Sequence, residues 1–199
     1  HTLKYIYPNT RSTFVHWLSM AGSSLFRPFL TTLPQLIPIN HCMTDLPYIA
    51  VAADNVDEAE LMQPQKWNIK QLKNFMIVFG LHSSVFDYLT FYALYKLFKA
   101  DADMFHTGWF IESICTELLI LFVVRTHKSL LKSSPGKLLI GLSIAALVIT
   151  VVLPFTPFAA SLGFVVPPLK LIGIIVGILV LYVISADVIK VIFFNKTAV

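Results

Sequence analysis

Charge is what this 199-residue sequence has least of: only 13% of its residues are Asp, Glu, Lys or Arg. An ordinary soluble domain carries about 25%. The shortage argues against a solvated globular domain, and the net charge of +4 is too small and too dispersed for a nucleic-acid surface. Cysteine is scarce too, with Cys42 and Cys115 alone and no CxxC pair, which excludes a disulfide framework and a thiolate zinc module. Both cysteines lie in apolar stretches and are expected to be small buried thiols. The opening residues lack a charged region followed by a short apolar run and a small-residue cleavage site, so no signal peptide is expected. No internal repeat and no low-complexity tract stands out.

What the sequence has is apolar length. Hydrophobic residues make up 56% of the chain and the mean hydropathy is +0.74. A membrane-crossing helix takes about 20 apolar residues, and the runs fall at about 2–25, 33–53, 74–98, 107–124, 138–153 and 169–194. The expectation is an all-α membrane protein, a single bundle of six transmembrane helices in contact with lipid. Ten Lys and Arg then fall on the side of both termini, against four (Arg27, Lys96, Lys99 and Lys170) opposite. The positive-inside rule puts both termini in the cytoplasm. The polar stretch from Asp54 to Lys73 reads as a solvated loop, and Trp67 and Trp109 read as interfacial anchors.

Polar residues inside apolar runs are the functional signal, because an ionisable group at membrane depth is costly. The second run contains Asn40-His41-Cys42-Met43-Thr44-Asp45-Leu46-Pro47. Pro34, Pro38 and Pro47 are expected to interrupt this helix, Pro47 by removing the donor to the Met43 carbonyl. Freed carbonyls beside a carboxylate suit a cation in transit. Asp45 is therefore the candidate metal ligand, with Thr44, Asn40 and His41 beside it. His41 lies one turn before Asp45 and is expected to face the same cavity. In the first run Asn9, Thr13 and His16 share a helix face, with Arg11 on the other side; Thr13 and His16 are candidate members of the ion site. As plain interhelical glue the stripe serves equally well. Asp87 and Glu112 are mid-run carboxylates, accessory ion or proton groups or a structural pair. Glu117 and Asp187 are assigned to bundle polarity. Gly80 and Ser84 form a small-xxx-small pair for close helix approach. Mg²⁺ takes oxygen ligands, whereas imidazole suits zinc, copper, iron or nickel, so His41, His16 and Cys42 leave a transition metal as the alternative ion.

Met43-Thr44-Asp45-Leu46-Pro47 with Ala52-Ala53-Asp54-Asn55-Val56-Asp57 resembles helix 6 and the next loop of the magnesium-transporting P-type ATPases. The likeness continues through Pro64-Gln65-Lys66-Trp67, Ser83-Ser84-Val85-Phe86-Asp87, Gly108-Trp109-Phe110-Ile111-Glu112, Arg125-Thr126 and Pro154-Phe155-Thr156-Pro157. Thr2-Leu3-Lys4-Tyr5-Ile6 and Ser19-Met20-Ala21-Gly22-Ser23-Ser24-Leu25-Phe26 resemble helix 5. The resemblance implies helices 5 to 10 of a ten-helix pump in the plasma (inner) membrane. Its cation site would lie between helices 4, 5 and 6, with Mg²⁺ as the transported ion. ATP would act only through nucleotide-binding and actuator domains, which with helices 1 to 4 belong to an N-terminal part absent from this sequence. So does the phosphorylated Asp-Lys-Thr-Gly-Thr motif. Where the family usually has Asn-Phe-Gly-Asn, this chain has Thr13-Phe14-Val15-His16. Where it has an asparagine four residues before the aspartate, this chain has His41. These departures leave a second expectation, a catalytically inactive remnant or regulatory membrane protein derived from such a pump.

Overall fold

The computed structural model describes residues 2–24, 36–52, 54, 69–126, 130 and 134–197. Six α-helices stand among the described residues, with no strand: α1 (Thr2–Ser24), α2 (Leu36–Ala52), α3 (Ile69–Tyr92), α4 (Ala102–Val124), α5 (Lys137–Val152) and α6 (Leu169–Thr197). Among the described residues, four segments are long and apolar enough to cross a membrane: Ile69–Leu97, Ala102–Val124, Lys137–Phe155 and Leu169–Phe194.

Helix α4 is the central pillar and packs against each of the other five. It is buried on all sides, as a helix enclosed by others must be: every residue from Phe105 to Leu118 is buried, Glu112 and Glu117 included. Trp109 is among them at 3% exposure, so it fills the bundle instead of anchoring at the lipid interface as its position near a run's end suggested; Trp67 lies outside the described residues. The outer helices show the complementary pattern. Leu138, Ile144 and Val148 of α5 and Leu169, Val180 and Ile184 of α6 are exposed, an apolar wall of the kind that meets lipid.

Local signals set the helix ends. Helix α3 widens into a π turn at Ala93–Leu97 and stops at Lys99, whose φ of 47° is left-handed. The side chain of Asp101 then caps α4, accepting from the Met104 N–H at 2.9 Å, which satisfies one of the free donors of a first turn. Past α5, short 3-10 turns at Leu153–Phe155 and Ala160–Leu162 end at Gly163, where φ is 72°, a conformation glycine adopts without cost. That turn lays Phe164 on Phe110, ring centroids 4.7 Å apart, and lets the Val165 N–H donate to Thr107 Oγ1 at 3.0 Å. The uncharged connection is thus docked on the start of α4.

Helices α1 and α3 meet at Gly80, where a Cβ would collide with the Phe14 ring; the small residue is what permits the close approach. At one end of the bundle, Asp54 Oδ2 pairs with Arg125 Nη1 at 2.8 Å, both side chains buried, and Asp54 Oδ1 accepts from the Gly136 N–H. Asp54 is therefore a buried tie and not part of a solvated loop; the stretch 55–68 lies outside the described residues. Nearby, Lys190 Nζ donates to the Val123 carbonyl at 2.9 Å and pairs with Asp187 at 2.8 Å, while Asp187 also accepts from the Leu130 N–H.

Candidate functional site

Helix α2 stays helical from Leu36 to Ala52, through Pro38 and Pro47. The expected interruption does not occur. Pro38 sits in the first turn, where its missing N–H would have had no ladder acceptor, and Pro47 removes one ladder bond, while neighbouring helices hold the rest of the backbone in place. Pro34 lies outside the described residues.

The two faces of α2 divide its polar residues. Asn40 and Thr44, one turn apart, are buried. Asn40 Nδ2 donates to Ser113 Oγ of α4 at 3.3 Å, which leaves Asn40 Oδ1 enclosed with no hydrogen-bond partner among the described residues. Thr44 Oγ1 turns back to the Asn40 carbonyl at 3.1 Å, so its hydrogen is used within the helix and its lone pairs face the same side. His41, Cys42, Asp45 and Leu46 are exposed. Asp45 and His41 thus share a face, as their spacing requires, but the described residues do not enclose it. The expected burial of Cys42 is corrected: Cys42 is exposed, whereas Cys115 is buried.

Helix α1 is divided in the same way, with the opposite sense to that expected. Thr13 and Trp17 are exposed, whereas Arg11, Ser12, Val15 and Ser19 are buried. The side chains of Asn9 and His16 lie outside the described residues. Of the six candidate ion ligands, the structure sets Asn40 and Thr44 on one buried face with Asn40 on Ser113, places Asp45 with His41 on an uncovered face, and sets Thr13 on the uncovered side of α1. No group of three or more His, Cys, Asp or Glu that could hold a metal occurs among the described residues.

A second polar centre lies where α1, α3, α4 and α6 meet. Arg11 Nη2 donates to Ser83 Oγ and to Tyr182 Oη at 2.8 Å; the two hydroxyls are 2.9 Å from one another. Ser12 Oγ donates to Glu117 Oε1, and Ser19 Oγ donates to Asp87 Oδ2. Glu112 is fully buried beside this centre, and neither of its carboxylate oxygens has a hydrogen-bond partner among the described residues. Arg11, Ser12, Asp87, Ser113, Thr116 and Glu117 line a small cavity of about 10 Å³, enough for about one water. Of this centre, sequence reasoning singled out Asp87 and Glu112 and passed over Arg11 and Glu117. The signal was present: Arg11 is a charge inside a helical run, which asks for a buried partner.

The family whose sequence profile is described as "Cation transporting ATPase, C-terminus" matches residues 27–192. Over 193 residues the chain is 34% identical to a magnesium-transporting ATPase, P-type 1, of Salmonella typhimurium, covering 94% of this chain and 21% of that protein. It is 33% identical to the protein of the same description from Escherichia coli, covering 94% and 22%. A further Salmonella typhimurium protein so described is 30% identical over 94% of the chain. The chain therefore spans about a fifth of the length of these relatives. With six helices, a polar interior inside an apolar wall and a profile match over most of its length, the chain belongs to the cation-transporting P-type ATPases and corresponds to their C-terminal membrane region.

Proposed function

We propose that this chain is the C-terminal membrane part of an ATP-driven pump that transports Mg²⁺, and that α1 and α2 supply its share of the ion site. All six helices span the bilayer in this reading, with both termini cytoplasmic. The remainder of the pump supplies the preceding membrane helices and the domains that bind ATP and form the phosphoenzyme. The observation that carries the reading is Asn40 Oδ1, a buried oxygen with no partner among the described residues. A buried acceptor left bare is costly, and a hard cation is the ligand that uses it. Thr44 and the Met43 carbonyl, which Pro47 cannot serve as donor, supply further oxygens of the same kind. Asp45 supplies the charge. Its face, with exposed Leu46 at 56% and Ile49 at 61%, is the one the rest of the pump covers.

In the whole pump, Asn40→Ala is expected to raise the Mg²⁺ concentration for half-maximal ATP hydrolysis by about tenfold, the scale of one lost interaction of about 1.4 kcal/mol. An unchanged Mg²⁺ dependence would remove Asn40 from the site.

The second reading is a remnant or regulatory protein that no longer moves ions. His41 favours it, since an imidazole stands where the resembled family has an amide and imidazole is a poor Mg²⁺ ligand. Phosphoenzyme formation from ATP by the whole protein separates the two readings.

A further inference from the structure

We propose that Ser113 of α4 is a positioning residue for the ion site: it holds the Asn40 carboxamide so that the oxygen, and not the nitrogen, faces the transported cation. The inference rests on the proposed role of Asn40 and adds the contact that makes that role possible.

A carboxamide has two ends of nearly equal size, an acceptor oxygen and a donor NH₂. Only the oxygen ligates a hard cation; the N–H hydrogens repel one. Packing by shape does not tell the two ends apart, so a chemically selective contact has to. Ser113 supplies it. Asn40 Nδ2 donates to Ser113 Oγ at 3.3 Å, and both residues are buried. That contact leaves Asn40 Oδ1 enclosed, with no hydrogen-bond partner among the described residues. Thr44 does not satisfy it, because its hydroxyl hydrogen goes to the backbone carbonyl of Asn40.

A serine hydroxyl also donates, and a Ser113 that donated toward α2 would draw Oδ1 to itself. The second polar centre sets its direction. Ser113 lines the small cavity together with Asp87 and Glu117. Ionised carboxylates accept and do not donate. They draw the Ser113 hydrogen to the cavity side, directly or through the single water for which there is room. The Ser113 lone pairs are then left for the Asn40 amide. The two polar centres thus form one oriented series: carboxylates set Ser113, Ser113 sets Asn40, and Asn40 presents an oxygen.

The test is the Mg²⁺ dissociation constant of the purified whole pump in detergent, without nucleotide, by equilibrium dialysis. Ser113→Ala frees the amide to turn and is expected to raise the constant about fivefold, the scale of one neutral hydrogen bond. Asn40→Asp presents an oxygen whichever way it turns. In that background Ser113→Ala is expected to change the constant by less than about twofold, since the two positions act through one contact. A merely structural serine would cost the same factor in both backgrounds, and that result overturns the proposal. So does an unchanged constant for Ser113→Ala where Asn40→Ala raises it. An unchanged constant for Asn40→Ala itself removes Asn40 from the ion site and this proposal with it. If Ser113→Ala is not recovered folded, Ser113→Cys, whose thiol is a weak acceptor, takes its place in the same cycle.

Discussion

Asp54, just past the end of α2, and Arg125, at the end of α4, form a buried ion pair with Oδ2 and Nη1 2.8 Å apart. The pair ties the helix that carries the candidate ion ligands to the central pillar. Asp54 also accepts from the Gly136 N–H at 2.6 Å, so one carboxylate joins the ends of α2 and α4 to the start of α5.

Breaking a buried pair by removing one partner leaves the other charge uncompensated, at about 3–5 kcal/mol. Asp54→Ala and Arg125→Met are each expected to destabilise by that order, measured by denaturant unfolding in detergent. The double variant is expected to lose clearly less than the sum of the two, since neither charge is then stranded. Additive losses would show that the pair does not couple the helices.

Gly80 sets the distance between α1 and α3. Gly80→Ala places a methyl on the Phe14 ring, and forcing atoms into a packed contact costs about 1–3 kcal/mol. Gly141→Ala, on α5 with nothing within 4 Å of the added carbon, is the control. It is expected to be neutral or to stabilise by up to about 1 kcal/mol through helix propensity. The thermal unfolding midpoint of each variant distinguishes the sites; equal shifts would contradict the close approach.

Apolar length marks α3 to α6 plainly, because a run of some 20 apolar residues has few other uses. The enclosure of α4 is not legible in the same way, since its run differs from its neighbours' mainly in carrying Glu112 and Glu117. Nor are the faces of α1 and α2. Whether Arg11 or Thr13 points inward depends on Ser83 and Tyr182, which lie on other helices and leave no local pattern. Asp54 was misread for the same reason: its partner Arg125 is 71 residues away, and a polar neighbourhood suggested solvent. Trp109 shows the limit of positional rules, since a tryptophan near a helix end belongs to the interface only if that helix borders lipid. Pro47 shows another, since one missing donor does not break a helix that its neighbours hold.

The division of α2 into a buried Asn40–Thr44 face and an uncovered Asp45 face is central to the transport reading. The most direct test is Mg²⁺ uptake into proteoliposomes by the whole pump carrying Asp45→Asn, a change that removes the charge and keeps the shape. The account predicts a fall in uptake of at least about tenfold, the loss of a carboxylate interaction worth about 1.4 kcal/mol or more, with the protein still folded. Uptake equal to that of the unaltered pump would contradict it.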